Sequence, residues 1–389
     1  MSEARVNNLS NENNTGGPII SGITTFSGTN FFVPPVGNTA ERPENSQKGS
    51  IRFNTDSAKL EYYRGDTIGW VEVEASHGQL GGGTGSNTGT GTRAVLMGGV
   101  KNQQPNPVIT NEIDYYTIST LGNTQDFGDL STALYGGGMS GTVASRTRGF
   151  LGGSSPNPGN NIIEKLEIAT TGSSMNFADM QKTRYTNANH SNQTRGLFMG
   201  GYVTPAYDSQ IDYFTMATQA NAIDFGDVDV NTGYNAGGGN TTRALLLGGV
   251  NMVSTVKGVT ISTLGDTQDF GTLTNARQAA PGGCSNSTKV LVAGGNLSPS
   301  NSKTGNIESY TTASNGTATS FGTLTASRSY GLGGCGDNVR ATFGGGYTPT
   351  QVNIIDYVQF STGGNALDFG DLQSVKRGCT PVSNGHGGL

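Results

Sequence analysis

The chain has 389 residues, 62 of them glycine, with 33% hydrophobic and 13% charged side chains and a formal net charge of −5. Its sparse, scattered basic residues exclude a nucleic-acid footprint, and no run approaches the ~20 apolar residues a membrane span requires. Low net charge with regularly spaced apolar runs argues against disorder and for short strands joined by many turns.

Residues 1–44 are rich in Asn, Ser, Thr and Gly, a composition that cannot bury enough surface to fold alone. An apolar patch runs from Ile19 and Ile20 to Phe31, Phe32 and Val33, long enough to be ordered by another protein, so the segment reads as an extended anchoring arm. The opening MSEARVNNLSNENN shows no apolar stretch behind a basic one, the pattern a secretory signal would need. Residues 45–78 predict a small β-meander, with strands near 51–53, 60–63 and 70–73 and turns at Asn54-Thr55-Asp56 and Arg64-Gly65-Asp66. Arg64-Gly65-Asp66 also spells an adhesion tripeptide, but a hairpin tip uses the same letters for turn reasons. Residues 79–92 predict a flexible Gly/Thr/Ser linker.

From residue 93 the chain repeats itself. A double glycine recurs at Gly98/Gly99, Gly152/Gly153, Gly200/Gly201, Gly248/Gly249, Gly294/Gly295 and Gly344/Gly345. A second marker keeps step, as DFGDL (126–130), NFADM (176–180), DFGDV (224–228), DFGTL (269–273), SFGTL (320–324) and DFGDL (368–372). Between them lies a third, clearest as IDYYTI (113–118), IDYFTM (211–216) and IIDYVQF (354–360). A fourth segment, often led by a basic residue, precedes each double glycine, as in NARQAAPGGC (275–284). The apolar run RALLLGG suits a strand buried on both faces, IDYFTM alternates as a strand with one wetter face, and the Phe of the second marker anchors the outermost strand. A four-stranded unit of this kind cannot bury its own faces, and radial stacking of six such units makes a β-propeller. The first copy begins at Arg93 without its leading segment, and VKRGCTPVSNG (375–385) is that segment with nothing after it. The C-terminal strand is therefore expected to complete the first sheet and close an all-β, six-bladed ring.

Asp-Phe-Gly would hold magnesium in a kinase, but the glycine-rich nucleotide loop and the catalytic loop are missing, and its recurrence points to architecture. Asp114, Asp212 and Asp356 are separated by repeats and lack a calcium-loop pattern, so strand-end hydrogen bonding is the expectation. Arg184, Arg277, Arg328 and Arg377 precede first strands, and Arg148, Arg195, Arg243 and Arg340 precede second ones. They could converge on an acidic sugar at a channel mouth, but interblade hydrogen bonds or salt bridges are expected instead. His190 falls in a first strand, and His77 and His386 in Gly-rich loops, with no catalytic constellation around them. Cys284, Cys335 and Cys379 lack metal-type spacing and read as reduced packing residues. No catalytic residue, metal ligand or cofactor is expected. The best binding candidates are Tyr202, Tyr207 and Tyr347, which follow double glycines and offer flat faces for stacking on sugar rings.

The repeat resembles the kelch-type propeller, with Phe where kelch repeats usually place Trp. GSIRFNTDSAKLEYYRGDTIGWVEV resembles a small module of tail and other virion proteins of bacteriophages, through its Gly-x-Ile-Arg-Phe-Asn start and Tyr-x-Gly…Trp finish. ISGITTFSGTNFFVPPVGNTAERP (20–43) is similar to the lead-in beside that module in phages of marine cyanobacteria. The resemblance implies a non-enzymatic virion protein assembled in the host cytoplasm, a tail fibre or other tail-associated part displaying a propeller for host-surface glycan recognition. It implies other virion proteins as partners of the arm and a homo-oligomer, a trimer above all, with neither nucleic acid nor membrane insertion. A purely structural decoration, neck or baseplate component is the alternative, and a glycan-degrading enzyme a remote one.

Overall fold

The computed structural model describes residues 34–57, 59–73, 92–101, 108–135, 140–154, 160–278 and 281–389. They are all-β, with two short 3-10 turns at Thr39–Glu41 and His386–Gly388. The chain divides into two compact units, Met1–His77 and Gly78–Leu389. Ile19, Ile20, Phe31, Phe32 and Val33 of the expected arm lie outside the described residues, as do His77 and residues 79–91 of the expected linker.

In the first unit Ile51–Asn54, Lys59–Tyr63 and Trp70–Glu72 form the expected meander. One boundary moves: Val36–Gly37, assigned by sequence to the arm, pairs parallel to Phe53 and Asn54 as a fourth strand. The reason lies in Glu61, which is fully buried and draws Arg42 and Asn54 onto its carboxylate, so the last residues of the expected arm are tied to the sheet. Arg64-Gly65-Asp66 is a turn: Gly65 has φ +104°, and Asp66 accepts a 2.6 Å hydrogen bond from the Tyr63 hydroxyl.

Among its described residues the second unit contains many antiparallel sheets; six share a core of four antiparallel strands, four of them with no further strand and two extended to five and six strands. In chain order their second strands are Arg93–Met97, Arg148–Ser154, Arg195–Met199, Arg243–Leu247, Lys289–Ala293 and Arg340–Gly344. The strand Thr380–Ser383 completes the first sheet, pairing with Arg93–Met97 so that Val382 faces Val95 and Thr380 faces Met97. The first strand of each sheet touches that of the next, and Thr380–Ser383 touches both Gly333–Gly336 and Val143–Ala144. Six apolar clusters lie between consecutive sheets, one of them joining the sixth to the first through Leu96, Tyr116, Ile355 and Phe369.

The Asp-Phe-Gly marker has a backbone origin. In every sheet the register between third and fourth strands slips at an equivalent place, and in the third sheet it slips again between Asp208 and Gln210. Ile211 faces Gly226 and Asp212 faces Asp224, which leaves Phe225 as the extra residue of a bulge, turned inward at 3% exposure. A bulge re-aims one side chain at the expense of a local kink. Gly226 takes φ +145°, and a Cβ there would strike the backbone of Gly265 in the next sheet, so two chains meet where only glycine fits.

The double-glycine marker holds in four copies and shifts by one residue in two. The left-handed pair is Gly345/Gly346 in the sixth sheet, and in the second sheet Gly153 is followed by Ser154. Gly344 instead ends its strand and Gly152 lies within its own, leaving room for Leu96 and Phe198 from the neighbouring sheets.

The basic residues that open the second strands join the sheets. Nη1 of Arg93, Arg148, Arg195, Arg243 and Arg340 donates to Ile168, Met216, Ile261, Thr312 and Ile118 carbonyls in the following sheet, at 2.6–3.1 Å. Lys289 Nζ reaches the Phe360 carbonyl in the same way, at 3.4 Å. Each link satisfies a carbonyl at the end of a third strand, and the sequence expectation of hydrogen bonds between repeats holds for this set.

Candidate functional site

The basic residues that precede first strands are buried instead. Arg184 meets Asp212 at 3.2 Å, Arg328 meets Asp356 at 2.6 Å, and Arg277 binds Glu308, all six side chains being almost wholly excluded from solvent. Burial lowers the Arg184 guanidinium and raises the Asp212 carboxyl, each opposed by its partner's charge. Asp114 is held by Lys376 at 2.5 Å, not by Arg377. The expected strand-end hydrogen bonds of Asp114, Asp212 and Asp356 are thus buried ion pairs, because the bulge turns the residue after Ile into the protein. The same carboxylates also bind the loop leaving the previous sheet: Gln181 N donates to Asp212 at 3.0 Å and Thr325 N to Asp356 at 3.0 Å.

A central channel does not emerge among the described residues. Ser140–Gly141 pairs parallel to Ala188–Asn189 and touches four other first strands. Its Ser140 hydroxyl donates to the Pro281 carbonyl at 2.7 Å and accepts from Gly283 N at 3.0 Å. Cys284 and Cys335 pack in the same region, and burial raises both thiols while Cys379 is pushed up to about 11, which disfavours the thiolate in each.

At one end of the first strands two imidazoles are sealed inside. His386, expected in an open loop, is 1% exposed; its Nε2 lies 2.9 Å from Ser191 Oγ and its Nδ1 2.8 Å from the Ser383 carbonyl. His190 lies edge-on to it at 5.5 Å, with Nε2 3.0 Å from the Asn240 carbonyl. Burial lowers His190 from 6.5 to about 3 and His386 to about 4. Both values fall below that of an exposed imidazole, so the unfolded chain takes up protons first as pH drops. The stability these groups confer is therefore complete above about pH 6.5 and is lost as pH falls toward their folded values. Denaturant unfolding across a pH series is expected to show a loss of roughly 2 kcal/mol per imidazole between pH 7 and pH 5. His386→Gln is expected to flatten that profile, and a variant with an unchanged slope would refute the assignment.

The opposite end of the first strands carries tyrosines. Tyr202 and Tyr207 sit edge to face at 5.2 Å, Tyr185 packs on Tyr202 at 5.3 Å, and Tyr234 lies 6.3 Å from Tyr207. Tyr330 and Tyr347 form a second pair at 5.9 Å, with the Arg377 guanidinium 5.6 and 5.3 Å from their rings. Tyr135 links the two groups: its ring covers Gly378, and it lies within electrostatic reach of both Arg377 and Tyr330. Tyr234 is in turn within reach of Tyr135, Tyr207, Tyr185 and Tyr330, and burial raises its hydroxyl far above the ordinary tyrosine value. The candidates Tyr202, Tyr207 and Tyr347 are therefore half-buried members of a larger cluster rather than isolated exposed rings.

Backbone geometry builds this face. Thr186, Tyr234 and Tyr330 adopt φ of 59°, 57° and 58°, and Gly378 adopts 68°, each two residues beyond the slot of the buried cation in its repeat. The left-handed conformation is uncommon for a bulky residue and here recurs where the chain turns into a first strand. Tyr202 donates to the Pro205 carbonyl at 2.9 Å. The hydroxyls of Tyr207, Tyr234, Tyr330 and Tyr347 make no hydrogen bond among the described residues and are not among the enclosed unpaired atoms. They leave donors and acceptors beside flat apolar faces. Sequence reasoning missed Tyr135, Tyr185, Tyr234 and Tyr330, although each follows the cation slot by one or two residues (ALY, TRY, TGY and RSY).

A concavity marks the fourth sheet, where both members of the buried pair are replaced. In the fourth sheet Thr232 stands where four other repeats place Arg184, Arg277, Arg328 or Lys376, and Lys257 stands where they place a carboxylate. Lys257 turns to Asp229 and Asp269, and a cavity of about 250 Å³ opens between Thr232, Asn235, Leu246, Val250, Val253 and Lys257. Among the described residues no cluster of His, Cys, Asp and Glu is placed to hold a metal ion. No protein-family model matches this chain, and no curated protein matches it.

Proposed function

We propose that residues 93–389 build a six-bladed, kelch-like β-propeller that displays the tyrosine face for recognition of host-surface glycans. The protein is read as a bacteriophage virion component, a tail fibre or other tail-associated part, joined to other virion proteins through residues 1–44. The propeller reading is supported by six sheets whose first strands touch in succession and by the pairing of Thr380–Ser383 with Arg93–Met97. The tail assignment rests on the resemblance of residues 20–74.

One observation carries the recognition reading: seven half-buried tyrosines share one end of the unit, most with hydroxyls left unpaired. Rings of this kind stack on sugar faces while their hydroxyls bond sugar hydroxyls. The buried His190 and His386 favour binding over hydrolysis, since neither is placed to exchange protons with a substrate at the surface. Shallow contacts of this type gain from several copies, which suits a homotrimer.

The test is a glycan array with whole-cell binding of the full chain, alongside Tyr202→Ala/Tyr207→Ala. Wild-type binding that falls at least about tenfold in the double variant is expected. Binding to virion proteins alone would move the protein to a decoration, neck or baseplate role, and release of reducing sugar would make it an enzyme.

A further inference from the structure

The tyrosine face also carries charge that no carboxylate among the described residues neutralises. Arg184, Arg277 and Arg328 are sealed by carboxylates, and Arg148, Arg195, Arg243 and Arg340 direct donors to carbonyls. Arg377 does neither. It is half-buried, has no ion pair or side-chain hydrogen bond among the described residues, and its Nε is enclosed without a partner. Its guanidinium is positioned by stacking on Tyr330 and Tyr347 and by backbone pairing between Arg377 and Val100. Lys303 places a second cation 4.8 Å from the Tyr347 ring, again with no carboxylate within ion-pair distance among the described residues. Two cations with no carboxylate partner among the described residues therefore share one tyrosine in a protein whose net charge is −5.

We propose that Arg377, Tyr330, Tyr347 and Lys303 form an oxyanion subsite that selects a saccharide bearing a carboxylate or a sulfate ester. The inference rests on the glycan-recognition reading and specifies its ligand class. A guanidinium stacked between rings keeps its N–H edge for a planar or tetrahedral oxyanion, and such charge-assisted bonds are stronger than neutral ones. Stacking also fixes the fork before the ligand arrives, so little side-chain freedom is lost on binding. Tyr330 and Tyr347 then line the sugar that carries the anion, and Lys303 adds attraction without demanding one geometry.

The experiment titrates the full chain with glucuronate, galactose 6-sulfate and their neutral parents glucose and galactose, following amide and tyrosine NMR shifts at two salt concentrations. One or both anionic sugars are expected to bind at least about tenfold more tightly than their parents and to weaken as salt rises. Whichever of the two binds identifies the anion's chemistry. Arg377→Gln is expected to remove the preference and Arg377→Lys to restore it only in part, with melting temperatures measured to confirm that both variants fold. Equal binding of charged and neutral sugars, or a preference unchanged in Arg377→Gln, overturns the subsite. Array and cell binding confined to neutral glycans overturns it too, while leaving host recognition standing. If no glycan or cell is bound, the recognition reading fails, and the monosaccharide titration alone decides the subsite: Arg377-dependent shifts support it and their absence overturns it.

Discussion

Deleting residues 380–389 is expected to remove the cooperative thermal transition of the second unit. The deletion strips Thr380–Ser383 from Arg93–Met97, uncovers Val95 and Leu96, and removes Val382 and His386 from the core. Burying one such side chain is worth about 1.5–3 kcal/mol and each ladder hydrogen bond about 0.5–1.5 kcal/mol. The summed loss is of the same order as the roughly 5–15 kcal/mol by which whole domains are stable. The bare strand would also offer an unpaired edge to other chains. Calorimetry and size-exclusion chromatography should therefore show a broad or absent transition together with self-association. A truncated chain that stays monomeric and melts within a few degrees of the full one would show that the C-terminal strand is dispensable, and the propeller reading would lose its support.

The second large effect is expected at Asp356. Asp356→Ala leaves the Arg328 guanidinium buried without its carboxylate and frees Thr325, whose hydroxyl donates to Asp356 at 2.6 Å and which ties the fifth sheet to the sixth. Breaking one side of a buried pair typically costs about 3–5 kcal/mol, because the remaining charge stays out of water. Urea unfolding should register that loss. Replacing both partners with apolar residues, Arg328→Met/Asp356→Leu, is expected to recover most of it, since no stranded charge remains. If the single variant loses less than about 1 kcal/mol, the pair is less dry than its burial implies. Asp212 and Glu308 are expected to behave alike, and Glu164 differently, because Ser131 and Ser174 hold it in place of a cation.

Much of the second unit was legible because glycine and phenylalanine recur for backbone reasons. The Phe of each Asp-Phe-Gly marks the bulged residue, and the following glycine marks contact with the next sheet. What stayed hidden follows from the same bulge. In IDYFTM plain alternation places Asp212 with the wetter positions, whereas the slip between Ile211 and Asp212 accompanies its burial against Arg184. Arg377 looked equivalent to Arg328, yet Lys376 occupies the buried slot and releases its neighbour to the tyrosines. Ser140, which no sequence marker singles out, fills the middle of the unit, a role set by five strands distant in sequence. Three of the seven tyrosines were visible from the double glycines they follow, and the other four depend on loops brought together only by the stacking of sheets.

The pairing of the last strand also gives the second unit a polarity. Arg93 N donates to Asn384 at 2.9 Å, so the polypeptide enters beside Ser383, at the end that holds the imidazoles. The aromatic rings stand at the other pole. A fluorophore or solid support attached at residue 92 would thus sit at the imidazole pole and leave the tyrosine pole clear.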